Sequence, residues 1–501
     1  MQTAPQHKRK REEAEQREST HKGKEKESST STNEEEEEQP SVIWQRPRKD
    51  SNTDVACPYL DTIRRNLLDF DFEKVCSVTS SNINVYCCLV CGKYFQGRGR
   101  NSQAYFHSLS SDHHVFINLH NEKVYCLPDD YEVDDHSLDD IKYVLHPRFS
   151  QQQIAHLDKN TSLSASLDGT VYLPGIVGLN NINNNDYINS IVQCLVHVPP
   201  LRNFFLREEN YQNSKSHLVH TFGDLVRKMW NPRNFKGHVS PHELLQAVSS
   251  ASNKHFKIGQ QGDPLEFLSW LLNTLHKELG GTRKLGSSII HQVFQGSVCV
   301  TTKPLAIKKE EMQISNNSSI EQLMKETTTK VSPFLFLSLD IPPAPLFKSE
   351  EEKTVIPQLP LFHCLQKFDG KTEYDDTTKG ETRIYTITKL PQYLILHLKR
   401  FTKNNWFIEK NPTIVNFPVK NLEMKNYTSL KDYNMPTKYN LLTNLCHDGL
   451  PDKGCYKVYI QNKGNDKWYE IQDLIVKETL PQLVSLSEAY IQIYELKLEN
   501  S

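Results

Sequence analysis

The residues whose spacing most clearly allows chemistry are Cys88-Leu-Val-Cys91, followed by His107 and His113. Two thiolates separated by two residues fit on one tight knuckle, and two later histidines can complete a tetrahedron around zinc. Two Cys and two His leave no open position for a substrate, so the site reads as structural. Such sites contribute to folding on the order of 10 kcal/mol or more in small zinc domains. The register has alternatives, with Cys87 in place of Cys88 and His114 in place of His113. Cys57, Cys76 and Cys126 are either part of a second zinc site or simply buried sulfur.

Ligands of this kind need a folded module to hold them, and the texture of the chain delimits one. Residues 1–52 are almost free of apolar groups and carry charge blocks, Lys8-Arg-Lys-Arg11 and Glu34 through Glu38 among them. Such a segment buries too little surface to offset its ordering entropy and is expected to be disordered. Its basic cluster suits a nuclear import signal or a merely solvated tail. Residues 53–145 are rich in aromatics, cysteines and histidines, residues 146–171 form a polar connector with some helical periodicity, and residues 172–501 form a longer apolar-rich domain. That last domain opens with helical patterns over 186–206, 217–230, 241–251 and 263–279, then turns to β-rich runs such as Phe334–Asp340 and Tyr393–Leu398. Acidic stretches at 308–330 and 347–355 read as surface insertions.

Composition narrows the function classes. At 501 residues the chain holds two or more domains, and 37% hydrophobic content suffices for real cores. A net charge of −2 argues against binding nucleic acid through bulk positive charge. No aromatic-basic RNA module is apparent, so direct sequence-specific nucleic-acid binding is not expected. No apolar run approaches the roughly 20 residues that span a bilayer, so no membrane contact is expected either. Eleven cysteines, an odd number, fit a reducing compartment better than a disulfide framework. The chain reads as soluble and intracellular.

The longer domain carries ordered motifs. Gly178-Leu179, Asn181, Asn184, Tyr187, Asn189-Ser190 and Gln193 surround Asp186, and Gln260-Gln-Gly-Asp263-Pro-Leu-Glu266-Phe-Leu268 follows. Leu390-Pro391 with Leu396-His-Leu-Lys-Arg-Phe401, then Tyr439 through Asp473, then Ala489-Tyr-Ile491, complete the series. In this order the five segments resemble the ubiquitin-specific proteases. The resemblance implies an α+β, papain-like fold with a helical thumb and a β-rich palm and fingers. Cys88-x-x-Cys-Gly-Lys-Tyr-Phe-x-Gly97 and Ala104-Tyr-Phe-His107 likewise resemble the family's zinc finger over about residues 57–145. In fingers that grip the free tail of ubiquitin, an arginine follows the Cys-Gly pair and two tyrosines line the pocket. Here Lys93 stands at the arginine position, Tyr125 at one tyrosine position and Leu127 at the other. Lysine lacks the fork that matches a carboxylate, so a structural or protein-binding module is expected instead.

The resemblance also assigns a catalytic triad, and the residues at its positions differ from what the reaction needs. The enzymes use a thiolate to attack the isopeptide carbonyl, an imidazole to protonate the departing amine, and an Asp or Asn to orient the imidazole. Those positions read Asp186, Cys455 and Gln472, with Asn184 matching the oxyanion donor. A carboxylate attacking an amide would form a mixed anhydride that reverts more easily than it expels an unprotonated amine. Asp186 is instead suited to a helix start, where the dipole favours a carboxylate and a cap contributes about 0.5–2 kcal/mol. Cys455 with His447 as base is the competing nucleophile. The fingers lack their usual Cys-x-x-Cys pairs, since only Cys299 and Cys364 lie between 290 and 400, so no zinc is expected there.

Cys57-Pro-Tyr-Leu-Asp-Thr-Ile63, Leu68-Asp-Phe-Asp-Phe-Glu-Lys74, Gly97-Arg-Gly99, Trp230-Asn-Pro-Arg-Asn-Phe235 and Phe401-Thr-Lys-Asn-Asn405 resemble a splicing-associated, non-catalytic branch of the family. That closer likeness implies a nuclear protein whose partners are proteins of the tri-snRNP and spliceosome. A reader that binds ubiquitin or a ubiquitin-like protein weakly without cleaving it, and an active protease with rearranged residues, are the alternatives.

Overall fold

The structure is a computed structural model that describes residues 57–304, 327–343, 357–376, 380–403, 407–429, 435–451 and 453–498. The charged N-terminal segment, the acidic stretch at 347–355 and most of that at 308–330 lie outside the described residues. Residues 328–330 of the latter belong instead to the strand Thr328–Phe334. Residues 56–501 form one compact unit.

The finger is a five-stranded antiparallel sheet built from β1 (Val85–Cys88), β2 (Tyr94–Gln96), β3 (Val115–Asn118), β4 (Val124–Cys126) and β5 (Tyr131–Val133), in the order β2-β1-β3-β4-β5. Helix α1 (Gln103–Ser111) joins β2 to β3, and α2 (Asp139–Leu145) follows the sheet. Every residue of β1 and β3 is buried, because side chains alternate between two covered faces. Cys87 packs with Leu89 and Ile117 on one face, while Cys88 packs with Tyr86, Phe116 and Leu127 on the other.

The connector is not slack. Ser150 and Gln153 form a reciprocal capping box that starts α3 (Gln151–His156). Just beyond it, Asp158 accepts two bonds from the Arg202 guanidinium, at 2.8 and 3.2 Å. Arg202 is almost fully buried and lies 4.5 Å from the Trp230 ring centroid.

The larger domain begins with a helical layer, α4 (Asp186–Val196), α5 (Pro199–Leu206), α6 (His217–Trp230), α7 (His242–Ala251), α8 (Pro264–Glu278) and α9 (Ile289–Phe294). The single helical pattern expected over 186–206 is two helices, because Pro199 and Pro200 lack the N–H groups that would continue the first one and suit the first turn of the second. Helix α4 is buried along its whole length, packed by α5, α8 and the strand Cys455–Gln461. Behind it lies the large sheet, ordered Leu337–Asp340, Tyr393–Lys399, Ala489–Leu496, Lys438–Asp448, Cys455–Gln461, Trp468–Gln472, Ile475–Thr479. A separate four-stranded sheet carries Gly296–Pro304 and Glu381–Lys389 at its centre.

Finger and larger domain meet through buried charge. The Lys228 ammonium donates to the Phe70 carbonyl at 2.7 Å and sits 3.2 Å from Asp71 and 3.8 Å from Glu243. Lys236 pairs with Asp69, and Phe235 inserts into the finger core.

Candidate functional site

The cysteines at the end of β1 and on the knuckle after it face the histidines of α1 and of the turn that follows. Cys88 Sγ lies 3.5 Å from His113 Nδ1, Cys91 Sγ 3.4 Å from His107 Nε2, and the two ring nitrogens 3.0 Å apart. All four donor atoms fall within 4.8 Å of one another. A zinc tetrahedron with Zn–S near 2.3 Å and Zn–N near 2.0 Å has edges of roughly 3.3–3.8 Å, so this donor set fits that ion. Phe95 stacks on His107 at 4.1 Å, and Ser111 Oγ approaches its other nitrogen at 3.3 Å, orienting the ring.

The alternatives in register separate by direction. Strand alternation turns Cys87 into the opposite core. His114 is held by the Leu127 carbonyl and the Asp112 carboxylate, each at 2.8 Å, and stacks on Tyr59. Cys57, Cys76 and Cys126 are buried, and the Thr79 amide donates to Cys76 Sγ. Among the described residues they assemble no further group of three potential ligands. Tyr125 is roofed by Arg98, whose guanidinium lies 4.2 Å from the ring centroid and pairs with Asp130.

Asp186, Cys455 and Gln472 come from α4 and two neighbouring strands. Asp186 is the first residue of α4, after Asn185 as the cap. One carboxylate oxygen accepts from the Tyr187 amide at 3.0 Å, and the other accepts from the Tyr456 amide at 2.9 Å, 270 residues along the chain. The Gln261 side chain is near enough to favour the ionised form. Burial pushes this carboxyl above its ordinary pKa, with the Asp473 carboxylate adding to it against those donors. Gly262 is required beside it, since a Cβ there would stand 2.8 Å from the Tyr187 ring.

Cys455 Sγ accepts from Gln472 Nε2 at 3.3 Å. Burial, with the Asp448 and Asp186 carboxylates, raises its pKa, which holds the thiol protonated. His447 lies across the strand pair opposite Tyr456, its ring edge-on to Phe401 and Tyr456 at 5.0 and 4.9 Å. Burial, helped by the Lys410 ammonium, drives its pKa down to about 4. It is a neutral core histidine with no bond to Cys455, and Nδ1 has no partner. Asn184 is an exposed turn residue at φ 53°.

The next residue, Asp473, holds the cleft walls together in a way that sequence reasoning did not foresee. Its carboxylate accepts from Asn181 and Asn189, both at 3.0 Å, and its carbonyl accepts from the Leu179 amide at 2.9 Å. The meeting point thus brings together a carboxylate, a protonated thiol and an amide, and among the described residues the buried, neutral His447 forms no hydrogen bond with them.

Residues 177–494 match the family profile "Ubiquitin carboxyl-terminal hydrolase", and residues 76–138 match "Zn-finger in ubiquitin-hydrolases and other protein". The chain belongs to the ubiquitin carboxyl-terminal hydrolase family. Within it, the chain is 54% identical to ubiquitin carboxyl-terminal hydrolase 39 of Homo sapiens, over 88% of this chain and 80% of that one. It is 44% identical to the probable mRNA-splicing protein ubp10 of Schizosaccharomyces pombe, over 87% and 88% of the two chains. The crystal structure of an essential yeast splicing factor superposes with a TM-score of 0.70 at 29% identity, covering 88% of this chain and all of that one. The chain is therefore a protease-like protein whose full-length relatives include splicing factors.

Proposed function

We propose that this chain serves pre-mRNA splicing in the nucleus as a non-catalytic protein scaffold that assembles or stabilises the tri-snRNP. One observation carries the reading: the side chain at the nucleophile position is a carboxylate with both oxygens occupied by backbone amides. A group committed in this way is an anchor between α4 and the strand Cys455–Gln461, and among the described residues the nearby imidazole, His447, is uncharged near neutrality and does not bond to it. The zinc held by Cys88, Cys91, His107 and His113 is structural in this reading, shaping the finger as a docking module. The roof of Arg98 over Tyr125 supports a finger that does not take a ubiquitin tail. The same reading divides the chain into a charged tail (1–52), the finger (53–145), a connector (146–171) and the protease-like domain (172–501).

The test pairs two measurements on the full-length protein. Hydrolysis of ubiquitin bearing a C-terminal fluorophore is expected at the buffer rate, and immobilised protein is expected to recover tri-snRNP proteins from nuclear extract. Turnover abolished by Asp186→Ala, Cys455→Ala or Gln472→Ala would overturn the scaffold. Recovery of ubiquitin conjugates in place of splicing proteins would make the chain a ubiquitin reader.

A further inference from the structure

A pocket of about 300 Å³ opens where finger, connector and thumb meet, away from the cleft. Tyr143 of α2, Phe149 and Trp230 at the end of α6 form its aromatic wall, while Gln153, Lys159 and Asn160 line its polar side. That volume is at the small end of ligand pockets, which run roughly 300–1,000 Å³. It suits one planar ring system. Arg233 stands alongside, its guanidinium 5.2 Å from the Tyr143 ring centroid.

The charge around the pocket is one-sided. No lining residue is acidic, and the adjacent Asp158 is committed to buried Arg202. Lys159 and Arg233 are both exposed, and among the described residues neither forms an ion pair. The pocket therefore joins an aromatic wall, two side-chain amides and the cation Lys159, with Arg233 alongside, neither cation held in an ion pair among the described residues.

We propose that it takes one unstacked base of single-stranded RNA, with the flanking phosphates on Lys159 and Arg233. Every base offers a face for stacking, and its edge can accept from the NH2 groups of Gln153 and Asn160, whose oxygens already accept from the Ser150 and Ser162 amides. Aromatic stacking of this type is tolerant of sequence, which is why no sequence-reading module accompanies it. An acidic peptide would satisfy the two cations but makes less use of flat walls and amides arranged around a single ring. This goes beyond the scaffold reading and is tested with RNA alone, so either can fail without the other.

The experiment is fluorescence anisotropy of a short fluorescein-labelled oligouridylate with the full-length protein at several salt concentrations. Tyr143→Ala and Phe149→Ala are each expected to weaken binding about 5- to 150-fold, the range for loss of one stacked base. Lys159→Gln is expected to lower the salt slope by about 0.7. Lys159 is exposed, so that variant carries the test if an aromatic variant melts early. Crosslinks from 4-thiouridine are expected on the peptide containing Tyr143 or Phe149. Failure of the full-length protein to bind the oligonucleotide, or unchanged affinity and slope in all three folded variants, overturns the proposal. Displacement of the RNA by a labelled Asp/Glu-rich peptide that Phe149→Ala no longer binds would reassign the pocket to protein.

Discussion

The finger and the cleft hold the same kinds of residue and use them in opposite ways. In the finger, two thiols and two imidazoles converge with their donor atoms free to point at one centre. In the cleft, the polar atoms of Asp186 and Gln472 point at protein partners, and the imidazole of His447 is buried and neutral. Convergence on an open point serves a ligand, whereas mutual satisfaction serves the fold. Asn181, Asn189 and Asp473 extend the second pattern, tying α4 and the loop before it to the turn after Gln472. The difference teaches that a site's residue types say less than where their lone pairs and protons are directed.

Removing metal from the finger is the sharpest way to break the comparison. Structural zinc supplies about 10–16 kcal/mol of apparent binding energy in isolated fingers. Cys88→Ser, or a strong chelator, is expected to unfold the finger, seen as loss of amide protection over residues 85–126. The cleft should keep its protection. Protection that survives chelation would remove the finger's ligand from the account.

The next largest effect belongs to the seam between the two regions. Lys228 is buried against Asp71 and Glu243, and removal of one partner from a buried pair typically costs about 3–5 kcal/mol. Lys228→Ala is expected to lower the urea midpoint accordingly and to free the finger from α6. An unchanged midpoint would mean the two regions do not support one another.

Much of this was legible before the structure, and the reason is local. The grouping of Cys88, Cys91, His107 and His113, the helices α6, α7 and α8 and the strand Tyr393–Lys399 follow from spacing and periodicity that short windows contain. The split of α4 from α5 was also written in Pro199-Pro200, although the apolar pattern runs across it. What stayed hidden depends on pairs far apart in the chain. A bond from the Tyr456 amide to Asp186 has no sequence signature, because the donor is backbone and every non-proline residue has one. The Lys228–Asp71 pair is equally silent, and Lys228 alone reads as a solvated charge at the end of a helix.

Asp186 itself gives a smaller effect with a definite pH dependence. Asp186→Ala leaves the buried amides of Tyr187 and Tyr456 without acceptors and is expected to cost about 1–3 kcal/mol. The folded pKa of Asp186 lies above the ordinary value of about 3.9. The unfolded chain therefore ionises first, and the stability contributed by the protonated group is lost as pH rises from that value through the folded pKa. The gap in urea midpoint between wild type and Asp186→Ala should be widest at the acidic end and narrow across that window. A gap that widens with pH would mean the carboxylate is bound as an anion with more donors than the structure provides.

Cys455 should give the smallest effect of all, and for that reason it discriminates most finely. Its thiol is raised in pKa by burial and by the Asp448 and Asp186 carboxylates, and among the described residues it accepts a hydrogen bond from the Gln472 amide. Cys455→Ser keeps a group that accepts from Gln472, so stability is expected to change by less than about 0.5 kcal/mol. Alkylation by iodoacetamide should be slow at pH 7 and should accelerate only as pH passes the usual thiol value of about 8.5, since the thiolate is the reactive form. His447→Gln should leave that profile where it is, because the imidazole neither bonds to Cys455 nor carries charge near neutrality. A profile that rises near pH 6 and collapses in His447→Gln would show a working thiol and base in the cleft, and the contrast with the finger would then be one between two kinds of open site.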